Sequence, residues 1–208
     1  MPWPEDHKAR TRERIVEAAA AAFRAGGVAG VRVEDVMARA GLTHGGFYAH
    51  FDSKEALLRD ALARAGDQTV EMLSKPATAR AAGDRLQAVV DTYLSQAHAA
   101  HPERGCPLAA LGPEIARADG PAREALAAAV TDRLAWMRGL VPPGRGTASS
   151  DTQIIGTLAC MVGGIILARA AGGNRGVAIL KACREFVRQC SGGAATRAAR
   201  VRKRPSRG

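Results

Sequence analysis

Aromatic side chains make up only 4% of this 208-residue chain, and no run alternates apolar with polar residues long enough to read as a strand. Strands favour aromatic and β-branched residues on a period of two, so both absences argue against sheet. The four cysteines, Cys106, Cys160, Cys183 and Cys190, lack the close paired spacing of a zinc site, and a cytosolic setting would keep them reduced. No glycine loop that could cradle a phosphate, no metal-ligand cluster and no serine, histidine and acid motif occurs; the five histidines are scattered. The expectation is no enzyme, no catalytic residue, no metal and no cofactor. The opening MPWPEDHKARTRER lacks an apolar core of signal-peptide length, which points to the cytoplasm. One run, Ile154 to Ala171, approaches membrane-spanning length. Gly156, Thr157, Gly163 and Gly164 interrupt it and Arg169 lies inside its end, so it reads as a buried helix and no membrane partner is expected.

What is present is alanine, helical periodicity and positive charge. With 47% apolar residues the chain can bury one sizeable core, enough for a small N-terminal module and a larger second domain, all helical. The net charge of +10 is unevenly placed: residues 1–65 carry ten basic and nine acidic side chains, whereas residues 197–208 carry six basic and none acidic. The stretch 192–208 therefore reads as a solvated, disordered basic tail, with non-specific phosphate contact as its alternative role.

Near the N-terminus the apolar residues trace two short helices meeting at a turn. Val33, Val36, Met37 and Ala40 fall at i, i+3, i+4 and i+7; Gly41 stops the helix, Leu42 plugs the angle, and Thr43 offers a hydroxyl to cap the amides of HGGFYAHF. Such a pair places its second helix in a major groove. A preceding helix from about Lys8 to Ala25 sets Ile15, Ala19, Ala22 and Phe23 on one face, and Gly26-Gly27 ends it. Its leading cations, Lys8, Arg10, Arg12 and Arg14, are either a solvated face or an arm toward the minor groove. Thr43 and Lys54 stand at helix N-termini, where amides and dipole attract phosphate. His44 is the candidate base reader, Tyr48 a phosphate or thymine-methyl contact, and His50 either a DNA contact or packing. Phe47 and Phe51, four apart, go to the core.

The segment from Thr11 to about Leu62 resembles the N-terminal domain of the TetR family of bacterial transcriptional repressors. The likeness rests on TRERIVEAAAAAFRAGG, on VEDVMARAGL, and on Phe47, Tyr48, His50, Phe51, Lys54 and Leu57 within THGGFYAHFDSKEAL. It implies a homodimer on a palindromic operator in double-stranded DNA, and it strengthens the DNA role of Tyr48. Gly45 is common in the family; Gly46 is an added glycine, and together they soften a reading helix that should firm up on DNA. Where the family usually has Ser or Thr as helix cap and phosphate contact, this chain has Arg32, whose guanidinium can make that contact.

The expected organisation is a three-helix helix-turn-helix domain at 8–53, a helical effector and dimerisation domain at 54–191, and the tail. The connecting helix from about Lys54 to Leu73 is the lever. Two last helices, about 150–171 and 174–189, offer Gly156, Ala159, Gly163, Ile166, Ile179 and Phe186; by resemblance they form the dimer interface, and by composition alone they would serve equally as core. In the patch Arg104-Gly105-Cys106-Pro107-Leu108, Pro107 fits the first turn of a helix, which makes Cys106 its cap. His101 and Arg104 would add positive potential, and the patch resembles a family branch with an electrophile-responsive cysteine. The competing reading is an inert, buried thiol. The chain thus reads as a repressor released by a small apolar ligand or by modification of Cys106. The alternative is an architectural DNA-binding protein without an effector.

Overall fold

A computed structural model describes residues 5–142 and 147–202, with side chains placed over 7–142 and 151–190. The elements are α1 (Glu5–Gly30), α2 (Val33–Arg39), a 3-10 helix (His44–Ala49), α3 (Lys54–Thr78), α4 (Arg85–Tyr93), α5 (Gln96–Ala100), α6 (Pro107–Ile115), α7 (Pro121–Arg138), α8 (Thr147–Ala171) and α9 (Gly173–Arg202). Among the described residues there is no strand. The all-helical expectation holds.

The chain folds into two compact units. The first runs to Lys75 and includes Ala97–Arg133; the second takes Pro76–Gln96 and the chain from Leu134 on. In the first, α1 buries the expected stripe of Ile15, Ala19, Ala22 and Phe23, and packs against α2 and α6. Burying each large side chain of this kind contributes about 1.5–3 kcal/mol. Gly27 breaks the helical geometry of α1 at φ 74°, a conformation that side chains with a Cβ rarely adopt, and one irregular turn carries the chain on to Gly30. Gly41 likewise takes φ 69° in the corner after α2. The connecting helix continues past Leu73 and through Pro76 to Thr78. A proline this near a C-terminus removes one hydrogen bond yet leaves only a short turn beyond it.

In the second unit α8 and α9 form a helical hairpin around Gly172 and Gly173, both at positive φ. Ile154, Leu158, Met161, Ile165 and Ala168 make the buried stripe of α8, facing Leu180 and Val187 of α9. Gly164 marks the closest approach within the unit: a Cβ there would stand 2.8 Å from Leu94 Cδ2 and 3.0 Å from Cys183 Sγ. The Arg184 guanidinium donates to the Leu94 carbonyl and ties α9 to the end of α4. The expected disordered tail needs correction over 192–202, because α9 runs on to Arg202. Residues 203–208, the rest of that tail, lie outside the described residues.

Candidate nucleic-acid interface

The reading segment is a 3-10 helix of six residues rather than the expected α-helix. Two adjacent glycines supply neither side-chain packing nor helix propensity, so nothing local holds the segment in α-helical geometry. Phe47 anchors it from below, 1% exposed, its ring 5.8 Å from that of Phe51. Tyr48 points the other way and is 69% exposed, edge-on to Phe47 and His44. His44 is exposed, with Nδ1 3.6 Å from Glu34. Nothing lies within 4 Å of a Cβ built at Gly45, so another backbone can approach there.

Other expected contacts look different in place. The Thr43 hydroxyl makes no capping bond; the Thr43 carbonyl instead accepts from the Gly46 amide at 3.2 Å, which corrects the expected cap. Arg32 stands at the N-cap of α2 without capping it, and its guanidinium forks onto Asp35 through two bonds of 3.1 Å. That fork holds Asp35 below the usual carboxylate range. His50 is half-buried beside α1: its Nδ1 is buried without a partner among the described residues, and burial, then Lys8 and Arg12, pulls its pKa down, which keeps the ring neutral at pH 7. Arg12 pairs with Asp60 and lies 4.7 Å over the Phe51 ring, while Arg14 donates to the Ala40 carbonyl at 2.6 Å. These two arginines stitch the first unit together.

Lys54 differs most from expectation. It is half-buried, and its Nζ donates to the Val28 carbonyl at 2.7 Å. Lys54→Met should therefore lower the stability of the first unit by about 1.5–3 kcal/mol, as loss of a hydrogen bond from a charged donor does. A lysine spent on phosphate would instead reduce the slope of log affinity against log salt by about one. Thermal unfolding beside a salt titration separates the two roles.

Cys106 is the N-cap of α6, with Pro107 in the first turn. It is 1% exposed, and its amide donates to His98 Nε2 at 3.0 Å. His101 and Arg104, expected to act on it, both lie against Glu103. Arg24, buried in α1, instead donates to the carbonyl of Gly105, the residue before Cys106, and to that of Ala20, and it interacts electrostatically with Cys106. Burial pulls that guanidinium below its ordinary pKa. Sequence reasoning missed Arg24 and His98 as neighbours of Cys106; an arginine next to Phe23 on the apolar stripe of α1 was the signal for the first.

In the second unit, Gly156 and Ala159 are exposed, Gly163, Ile166 and Ile179 are half-buried, and Phe186 is 59% exposed, beside exposed Ile155, Leu167 and Val177. Asp151–Ala171 is long and apolar enough to cross a membrane, yet one of its stripes already packs on α9. The thiol of Cys160 donates to the Cys183 carbonyl at 3.7 Å, and burial, then Cys183, pushes its pKa up to about 11. Cys190 is exposed.

Two family profiles match the chain: bacterial regulatory proteins of the tetR family over residues 15–61, and tetracyclin repressor-like C-terminal domains over 82–174. Two proteins of Mycobacterium tuberculosis, strains CDC 1551 and H37Rv, each named an uncharacterized HTH-type transcriptional regulator, are 30% identical over 171 residues, 76% of this chain and 84% of theirs. Among solved structures, a TetR transcriptional regulator from Chloroflexus aurantiacus has a TM-score of 0.73 at 27% identity, over 88% of this chain and 94% of its own. A TetR-family regulator from Cytophaga hutchinsonii shares the fold with a TM-score of 0.73 at 20% identity, over 90% and 96%.

Proposed function

The chain belongs to the TetR family of DNA-binding transcriptional regulators, which are not enzymes, and from that premise we propose a cytoplasmic homodimeric repressor that holds a palindromic operator until an effector releases it. The observation that carries this reading is the pairing of an exposed reader with an unpartnered apolar face. A reader of six residues contacts few base pairs, so a second copy on a twofold axis supplies the missing contacts. The face for that copy is Ile155, Gly156, Ala159, Gly163, Ile166, Leu167, Ile179 and Phe186. Beside it lies a hollow of about 490 Å³ lined by Gly156, Phe186, Val187 and Cys190. Arg32, Thr43, His44, Gly45 and Tyr48 are the DNA contacts best supported by exposure; His50 and Lys54 are half-buried, and Lys54 already holds the Val28 carbonyl.

A place for the effector is the groove between α3 and α7, about 640 Å³, lined by apolar Leu62, Val70, Ala125 and Ala129 and by charged Arg59 and Glu124 among others. That volume suits a small apolar molecule. A ligand wedged there moves α3, whose first turn directly follows the reader. The two readers must match the helical repeat of DNA, so a shift of roughly a few ångströms breaks register.

The test is a footprint on duplexes selected by the protein from a random pool, with affinity for selected and random DNA compared at one salt concentration. A protected inverted repeat and a large ratio support the repressor reading. Equal affinities would leave only the architectural one.

A second reading, release through Cys106, has the Arg24 charge and the α6 N-terminus in its favour and burial against it. With a limiting thiol reagent at neutral pH, Cys190 should label first and Cys106 last, with operator retained. Mass-spectrometric mapping that finds Cys106 modified first, together with release of DNA, would overturn the ligand reading in favour of the cysteine.

A further inference from the structure

The peptide at Val28, in the corner between α1 and α2, is held on both sides by charged groups. Its amide and that of Ala29 donate to the two carboxylate oxygens of Glu114, each at 2.9 Å, while its carbonyl accepts from Lys54 Nζ at 2.7 Å. Glu114 sits in the last turn of α6, and Lys54 is the first residue of α3, just beyond the reader. One residue therefore ties the start of the helix-turn-helix to its end, and both to α6. The backbone is fitted to the carboxylate: Gly27 takes φ 74°, and a Cβ there would stand 2.8 Å from Glu114 Oε2. The other end of α6 is tied to the same helix, since Arg24 of α1 donates to the Gly105 carbonyl.

From this geometry we propose that Glu114 is a positioning residue for DNA reading, a catch by which α6 sets the α1–α2 corner and, through Val28 and Lys54, the attitude of the reader. A carboxylate is suited to the task because it is acceptor-only and can take both amides, and bonds to an ionised acceptor are stronger than neutral ones. Val31, three residues on, is buried with its Cγ2 3.1 Å from a Cβ built at Gly26, and Met37 of α2 lies 3.7 Å from a Cβ built at Gly46, so the corner packs on α1 and the reader on α2. Movement of α6 that withdraws the carboxylate frees the corner and leaves the rest of the core of the first unit in place. The role rests on the operator reading above and adds to it the route by which α6 reaches the reader.

The test compares wild-type protein with Glu114→Gln and Gly27→Ala. A carboxamide can accept one of the two amides and presents N–H groups to the other; a methyl group at 27 displaces the carboxylate. For each protein, amide hydrogen exchange is read at Val28 and Ala29, and affinity is read for a duplex selected by the wild-type protein and for a random duplex. In both variants the two amides should exchange at least about tenfold faster, and the selected-to-random ratio should fall at least about tenfold, while random-DNA affinity and helicity stay within about twofold of wild type. A residue that only supports the fold would change the unfolding midpoint without changing that ratio in folded protein. A selective wild type whose variants keep its ratio overturns the positioning role alone. A wild type without preference overturns the operator reading and this role with it.

Discussion

Phe186→Glu should yield a folded monomer whose affinity for selected operator DNA is lower by at least about 100-fold, because the second reader is no longer tethered to the first. The side chain is 59% exposed in the single chain, so a carboxylate there disturbs little of the fold, and surface changes of this kind usually stay within about 0.5 kcal/mol. Between two copies it would be a desolvated charge without a partner, which costs several kcal/mol. Gly163→Glu should behave alike, since a Cβ at that position meets nothing within 4 Å in its own chain. Sedimentation velocity gives the assembly state and a titration with selected duplex gives the affinity. A dimer that survives both substitutions would dispose of this interface; a monomer that keeps full affinity would dispose of the twofold reading.

The second large effect contrasts two adjacent residues. Phe47→Ala should cost about 3–5 kcal/mol, as loss of a buried phenylalanine does, and should abolish operator binding by loosening the segment that displays the contacts. Phe47 is the buried residue of the 3-10 helix and its anchor to the core. Tyr48→Ala should leave the unfolding midpoint where it is and reduce operator affinity by about tenfold, the worth of one or two polar or methyl contacts. Thermal unfolding and DNA titration on the same two proteins separate core from contact. A destabilised Tyr48→Ala, or a Phe47→Ala of wild-type stability, would mean that the inward and outward faces of the reader are assigned the wrong way round.

How much of this was legible beforehand depends on the kind of interaction. Periodicity and glycine placement carried the helical fold, the corner at Gly41, the buried Phe47 and Phe51 and the cap position of Cys106, because each depends on residues within one turn of one another. The intrachain partners of the charged residues were not legible. Lys54, Arg32, Arg12 and Arg14 resemble phosphate ligands in a sequence, since a cation at a helix end looks the same whether it faces solvent or a carbonyl. In the folded chain Lys54 reaches back 26 residues to Val28 and Arg14 reaches 26 forward to Ala40. Arg24 reaches 81 residues to Gly105, and Glu114 reaches 86 back to Val28. No local pattern marks such pairs.

The small residues of α8 show the same division. Gly156, Gly163 and Gly164 are equivalent as letters, and all three suggest close approach of backbones. The fold turns Gly164 inward, against Leu94 and Cys183, and leaves Gly156 and Gly163 with open space. By itself the sequence determined that the protein is helical, that it carries a DNA reader, and which residues repeat on which helix face, because hydrophobic periodicity is a local property. Tertiary structure decided which carbonyls and carboxylates the cations of the first unit reach, which thiol is buried, which face of α8 is left exposed among the described residues, and that Glu114 closes on Val28. Those outcomes depend on distances between residues far apart in the chain, and folding alone brings them within hydrogen-bonding reach.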